Sequence, residues 1–128
     1  NVESMSGMFF NCVNLQSLNV SSFKTEKVTN MEMMFGGNAT MLLTEIKGLE
    51  NFDTSNVTIM HAMFGNCSNL TSLDLSSFNT EKVTNMGRMF YGCSNLQTIY
   101  VGPNWVINEG TDITDMYTGC GTTTTTPK

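Results

Sequence analysis

Apolar residues recur along the chain at intervals of 26 to 29 positions. A methionine followed by an aromatic residue stands at Met8-Phe9, Met34-Phe35, Met63-Phe64, Met89-Phe90 and Met116-Tyr117. Longer phrases recur as well, since residues 15–31 and 70–86 agree at 13 of 17 positions. A period in the twenties indicates repeat units that stack, so that each unit covers the apolar face of the next.

Each repeat contains a segment in which apolar and polar residues alternate. The pattern is Leu-x-x-Leu-x-Val at 15–20, and it returns at 70–75 and 96–101 with Leu, Ile or Val in the same places. Alternation at a period of two predicts a short strand with one face turned inward. Stacked copies of this strand would lie side by side in a parallel sheet, about 4.8 Å apart.

A second apolar segment follows the strand and has a longer spacing. Val28, Met31, Met34 and Phe35 stand at i, i+3, i+6 and i+7, which predicts one stripe of a short helix. The threonines that precede this segment in three repeats, Thr25, Thr54 and Thr80, are candidate N-caps. The fold class is therefore predicted as α/β, with a short parallel strand and a short helix in each repeat.

Charge and composition narrow the function. Charged residues make up only 13% of the chain and the net charge is −5, without a basic cluster, which argues against nucleic acid and anionic membranes as partners. No apolar run approaches the roughly 18 residues that a membrane span needs, so no direct insertion is expected. The sequence opens inside the repeated phrase, which predicts a fragment of a longer protein, and residues 122–128 are expected to be a Thr-rich linker or tail.

No catalytic, metal or cofactor site is predicted, because no nucleophile–base pair or converging ligand set is apparent. Cysteine recurs in one column of the repeat, at Cys12, Cys67, Cys93 and Cys120. Buried free thiols are the favoured interpretation. A single disulfide, Cys67–Cys93 or Cys93–Cys120, and a metal site remain as alternatives. His61, the only histidine, is expected on the solvated face of its helix.

The repeated phrases resemble a known family. The pattern L-x-x-L-x-L with an Asn/Cys column resembles leucine-rich repeats, and LTSLDLSSFNTEKVTNMGRMFYGCSNL is similar to the BspA-like leucine-rich-repeat surface proteins. The resemblance covers roughly residues 1–120. It implies a leucine-rich-repeat-like right-handed solenoid of about four and a half repeats, spanning 1–121. It also implies a protein at the cell surface or wall that adheres to a host extracellular-matrix protein, a host-cell surface protein or another microbial surface.

The outward face of the predicted strands is the candidate binding surface, because repeat proteins bind partners through such extended faces. Its residues are Ser17, Asn19, Ser72, Asp74, Thr98 and Tyr100. Trp105 is either an end-cap core residue or an exposed anchor. Two non-enzymatic functions follow: an adhesion or protein-binding module, and alternatively a structural spacer that projects another domain from the cell wall. End-to-end self-association of the truncated solenoid is a further hypothesis, because truncation would leave the final repeat without its strand.

Overall fold

Five short strands and one 3₁₀ turn make up the regular structure of the computed structural model, which describes residues 2–128. The strands are β1 (Ser17–Asn19), β2 (Glu45–Lys47), β3 (Ser72–Leu75), β4 (Thr98–Val101) and β5 (Thr126–Pro127), and the 3₁₀ turn is Leu49–Asn51. Each strand belongs to a successive repeat, and three of them lie within the segments that alternation predicts. The predicted linker 122–128 ends in β5, whose Pro127 pairs with Val101.

The strands form two parallel sheets. One contains β1 and β2, and the other contains β3, β4 and β5 in chain order. The register joins equivalent positions of successive repeats, as in the pairs Leu73↔Ile99 and Asp74↔Tyr100. Outward side chains of one repeat therefore lie beside outward side chains of the next.

A second line of parallel pairing runs along the other side of each repeat, and we call it the bridge column. Its members, Ser4, Asn30, Ile59, Asn85 and Asp112, pair in sequence order. Four backbone hydrogen bonds accompany each step, from alternate N–H groups to alternate carbonyls of the next repeat. In one step the donors are Met31, Met33, Phe35 and Gly37, and the acceptors are Ile59, His61, Met63 and Gly65.

The predicted fold class is wrong, because residues 2–128 contain no α-helix. The segments expected to be helical are turns of the bridge column. A helix needs its N–H groups for carbonyls four residues back, whereas here alternate N–H groups donate to the next repeat. Each segment also has a left-handed residue in its middle, with φ of 54° at Met33, 54° at Ala62 and 55° at Arg88, which ends any right-handed helical run. The chain is therefore not a solenoid of strand-plus-helix repeats.

The core lies between the bridge column and the strands and is built from aligned aromatic rings. Phe9, Phe35, Phe64, Phe90 and Tyr117 stack in one row, with centroids 5.4 to 5.9 Å apart and interplanar angles of 1° to 15°. The methionines before the three middle rings are fully buried, whereas Met8 at the end of the row is exposed. The repeated Met-Phe pair therefore supplies the same core contacts in the three middle layers.

Candidate binding face

The strand face consists of the outward side chains of β1 to β4, and the structure divides it into two halves. Ser17 and Asn19 lie on β1, beside Glu45 and Lys47 of β2. Ser72 and Asp74 of β3 lie beside Thr98 and Tyr100 of β4. No pairing joins β2 to β3, so the predicted residues form two neighbouring groups instead of one continuous sheet face.

Asp74 and Tyr100 are linked by a residue that the sequence did not single out. The Lys128 ammonium forms an ion pair with the Asp74 carboxylate and lies 5.4 Å from the centre of the Tyr100 ring. The hydrogen bond from Lys128, with a further one from Ser76, lowers the pKa of Asp74 to about 2. Its carboxylate is therefore charged at all physiological pH values and already has a partner. No sequence pattern identified Lys128 as part of this face, because it is a single cation after a threonine-rich segment.

Two residues predicted to bind a partner also shape the backbone. Asn19 accepts a hydrogen bond from the N–H of Ser21 at 2.9 Å, and Asp74 accepts one from the N–H of Ser76 at 3.0 Å. These bonds close a turn at the end of each strand, which is a common use of Asn and Asp. Substituting either residue would change the turn as well as the face.

The charged pair on β2 was missed by the sequence analysis. Glu45 accepts a hydrogen bond from Ser17 at 3.2 Å and lies 3.7 Å from the Lys47 ammonium. The alternation Thr-Glu-Ile-Lys at 44–47, with Ile46 inward, was the signal that could have identified both residues as outward. The first half of the strand face is therefore charged and exposed, although its net charge is balanced.

Trp105 is half-buried and packs against the core. It stands 27 residues after Phe78, one repeat period, and a second row of rings runs through Phe52 and Phe78, whose centroids are 6.4 Å apart. Trp105 thus occupies the position that Phe78 holds one repeat earlier. Of its two interpretations, packing against the core is the one the structure describes.

All four cysteines are free thiols in the structure, with different surroundings. Cys67 and Cys93 are buried, as expected, and their thiols donate to the carbonyls of Phe35 at 3.4 Å and Phe64 at 3.0 Å. Burial raises the pKa of Cys67 from 9.0 to about 12. Cys12, in contrast, is exposed. Within residues 2–128, no group of three or more His, Cys, Asp or Glu side chains could hold a metal ion.

His61 lies in the bridge column wall and is less exposed than expected. Its Nδ1 atom is enclosed without a hydrogen-bond partner and lies 3.7 Å from a Glu32 carboxylate oxygen. It lines a pocket of about 80 Å³ with Arg88, whose guanidinium lies 5.0 Å from the centre of the Tyr91 ring. Ligand pockets typically have volumes of about 300 Å³ or more, so this cleft is not the candidate site.

These features define a repeat protein with parallel strands and a largely polar outward face. The chain matches the family described as "Mycoplasma protein of unknown function, DUF285" over residues 3–127, and it belongs to that family. No curated protein and no solved structure matches it. In the described part of the chain, no helix is long and apolar enough to cross a membrane.

Proposed function

We propose that the protein is a non-enzymatic module of a cell surface that binds another protein through the strand face. The half of this face formed by β3 and β4 is the part we assign to the contact. The proposal takes up the resemblance to BspA-like surface proteins. It assigns the module to the extracellular surface or cell wall, with a host matrix protein, a host-cell surface protein or another microbial surface as its partner.

The observation that supports this function is the alignment of unlike side chains on paired strands. Thr98 lies beside Ser72, and Tyr100 lies beside Asp74, so hydroxyl, carboxylate and aromatic groups are held in fixed register. Lys128 adds an exposed cation to the same patch. Tyrosine is enriched in protein contacts and often contributes much of the binding energy there.

A binding screen with two matched tyrosine variants tests the proposal. The chain would be immobilised and exposed to purified matrix proteins and to intact host and microbial cells. For any partner found, we expect Tyr100→Ala to weaken binding by roughly tenfold or more, as for an interface anchor. Tyr91→Ala, which removes a half-exposed tyrosine from the opposite wall, should leave binding unchanged. Binding that is lost in the Tyr91 variant and kept in the Tyr100 variant would contradict the assigned face.

A structural spacer is the second candidate, and the dense bonding between repeats favours it. Each step of the bridge column has four backbone hydrogen bonds, and side chains such as Asn66 and Asn95 donate to the repeat before them. Such bonding ties each repeat to the next without any ligand. If no protein or cell type binds in the screen, the spacer function is supported and the binding function is rejected.

A further inference from the structure

A cleft in the bridge column wall is left open by a glycine that packing does not require. The wall positions that follow the aromatic row are Phe10, Gly36, Gly65, Tyr91 and Thr118. Gly36 has no room for a side chain, because a Cβ atom there would lie 2.8 Å from the Gly65 nitrogen. A Cβ atom at Gly65 would meet nothing closer than the Ala62 carbonyl oxygen, at 3.4 Å, and the φ of Gly65 is not positive. The fold therefore tolerates a side chain at position 65, and the glycine leaves the cleft between Phe10 and Tyr91 open.

The cleft has an aromatic part and a polar part. Phe10 and Tyr91 form the aromatic part, and His61, Arg88 and Asn38 form the polar part. The Nδ1 atom of His61 is enclosed, so Nε2 is the ring nitrogen that a ligand would reach. The Arg88 side chain is 54% exposed. Asn38 is exposed as well, and its side-chain amide makes no hydrogen bond within residues 2–128. Three polar groups with unused hydrogen-bonding capacity thus surround two aromatic rings.

The charges around the cleft balance, so the cleft suits a neutral ligand. A Glu32 carboxylate oxygen lies 3.7 Å from the Nδ1 atom of His61, and an Asp115 carboxylate oxygen lies 3.9 Å from the Nε atom of Arg88. These carboxylates would repel an anion, and the Arg88 guanidinium would repel a cation. A hydroxyl group is neutral and can both donate and accept a hydrogen bond, so it matches the donors of Arg88 and the mixed amide of Asn38.

We infer that this cleft binds one edge of a neutral sugar ring in a cell-surface glycan. Its volume of about 80 Å³ is roughly half that of a closed cavity that holds benzene, about 150 Å³. The cleft therefore encloses no whole ligand, but it has room for one edge of a pyranose ring, with the rest of the ring in solvent. The C–H groups of the sugar pack on Tyr91 and Phe10, and its hydroxyls bond to Arg88 and Asn38. The inference does not depend on the strand face, which lies on the opposite wall.

An NMR titration of the whole chain with single sugars tests the site. The ¹⁵N-labelled chain would be titrated separately with glucose, galactose, mannose and N-acetylglucosamine, each up to about 50 mM. At least one sugar should shift the amide signals of Ala62, Gly65 and Tyr91 in a saturable way, with a Kd of about 1–20 mM, as expected for a contact of a few atoms. No saturable shift with any of the four sugars would overturn the inference. Shifts confined to β3 and β4 would also overturn it.

Two substitutions in the cleft provide the decisive comparison. Gly65→Val fills the cleft and Tyr91→Ala removes one of its aromatic walls, so each should weaken sugar binding by about tenfold or more. Ser94→Val adds the same side chain at an exposed position outside the cleft and should bind like the natural chain. If Gly65→Val does not fold, Tyr91→Ala decides alone, and an unchanged Kd in that variant overturns the inference. A loss in Tyr100→Ala with no loss in Tyr91→Ala would place the sugar on the strand face and overturn it as well.

Discussion

At the scale of single residues, the high content of Thr and Asn is explained by bonds between repeats. The hydroxyls of Thr25, Thr54 and Thr80 are buried, and the prediction that they cap helices is wrong. The Thr54 hydroxyl donates to the Asn79 carbonyl at 2.9 Å and accepts from the Asn79 N–H at 2.8 Å. One side chain thus satisfies two partly buried backbone groups of the next repeat.

Removing the Thr54 hydroxyl should destabilise the protein. Thr54→Val keeps the shape and leaves the N–H and carbonyl of Asn79 without partners, which should lower the free energy of unfolding by about 1–3 kcal/mol. Thr54→Ser keeps the hydroxyl and should lose only about 1 kcal/mol for the missing methyl group. Urea denaturation of the three proteins would measure the difference. Equal losses in both variants would show that the hydroxyl contributes nothing.

The cysteines should differ in reactivity according to their burial. Thiolates are the reactive form, and burial holds the pKa of Cys67 at about 12. Iodoacetamide at pH 8 should therefore label exposed Cys12 first and leave Cys67 and Cys93 unlabelled until the chain is unfolded. Mass spectrometry with and without guanidinium would count the labels. Fewer than four labels after unfolding without reductant would indicate a disulfide and contradict the free thiols.

The same burial makes stability depend on alkaline pH. Burial raises the pKa of Cys67 in the folded chain from 9.0 to about 12. The stability that the protonated thiol contributes is therefore complete below pH 9 and is lost as the pH rises through 12.

At the scale of elements, the segments of the bridge column have apolar residues at the spacing of a helix, but their backbone forms turns. Ala62 has a φ of 54°, a left-handed conformation that side chains with a Cβ rarely adopt. Its N–H donates to Gly87 of the next repeat at 2.8 Å. The bonds between repeats therefore hold a backbone conformation that the local sequence does not favour.

Glycine at position 62 should relieve this local strain. Ala62→Gly should be neutral or should raise the free energy of unfolding by up to about 1 kcal/mol, since glycine adopts positive φ freely. Ala39, the other alanine, is not among the positive-φ residues, so Ala39→Gly should lower stability by about 0.5–1 kcal/mol through the added entropy of the unfolded chain. Thermal unfolding would compare the two variants, and the same loss in both would contradict strain at Ala62.

The ion pair between Asp74 of β3 and Lys128 should be visible in the titration of Asp74. Lys128→Gln removes the largest cause of the lowered pKa, so the Asp74 pKa should rise from about 2 toward its ordinary 3.8. The stability that this carboxylate contributes is complete above pH 3.8 and is lost as the pH falls through 2. Carboxyl carbon NMR shifts would follow the titration. A pKa that does not move would show that Lys128 is not paired with Asp74 in solution.

At the scale of the whole molecule, stability should depend on position along the stack. The Phe64 ring lies between two others, with centroids 5.4 Å from Phe35 and 5.9 Å from Phe90, and it is fully buried. Phe9 begins the row and is only half-buried. Repeats that contact only their neighbours lose two interfaces when a middle one is damaged and one when an end is damaged.

Phe64→Ala should therefore cost more than Phe9→Ala. We expect Phe64→Ala to lower the free energy of unfolding by about 3–5 kcal/mol, as for other buried rings. Phe9→Ala should lower it by roughly half as much. Urea denaturation followed by the fluorescence of Trp105 would measure both. Equal losses at the two positions would contradict the layered description of the core.

Much of the layering could be read from the sequence, because every layer needs the same inward side chains. The spacing of the Met-Phe pairs and the alternation around Leu73 and Ile99 indicated which residues face inward, and the pairing agrees with that order. The strand face was predicted only in part. Lys128 was missed because a single cation after polar residues has no pattern, and Glu45 was missed because the second repeat is irregular.

The sequence alone determined the period, the inward residues and the parallel pairing of equivalent strands. Only the tertiary structure decided that the segments around Met31 and Met60 are turns, because apolar spacing reports which side chains are inward and does not report where the backbone N–H groups are bonded. In this protein, alternate N–H groups of these segments bond to the next repeat. A left-handed residue in each segment is held in place by those bonds, so the helix that the pattern favours does not form.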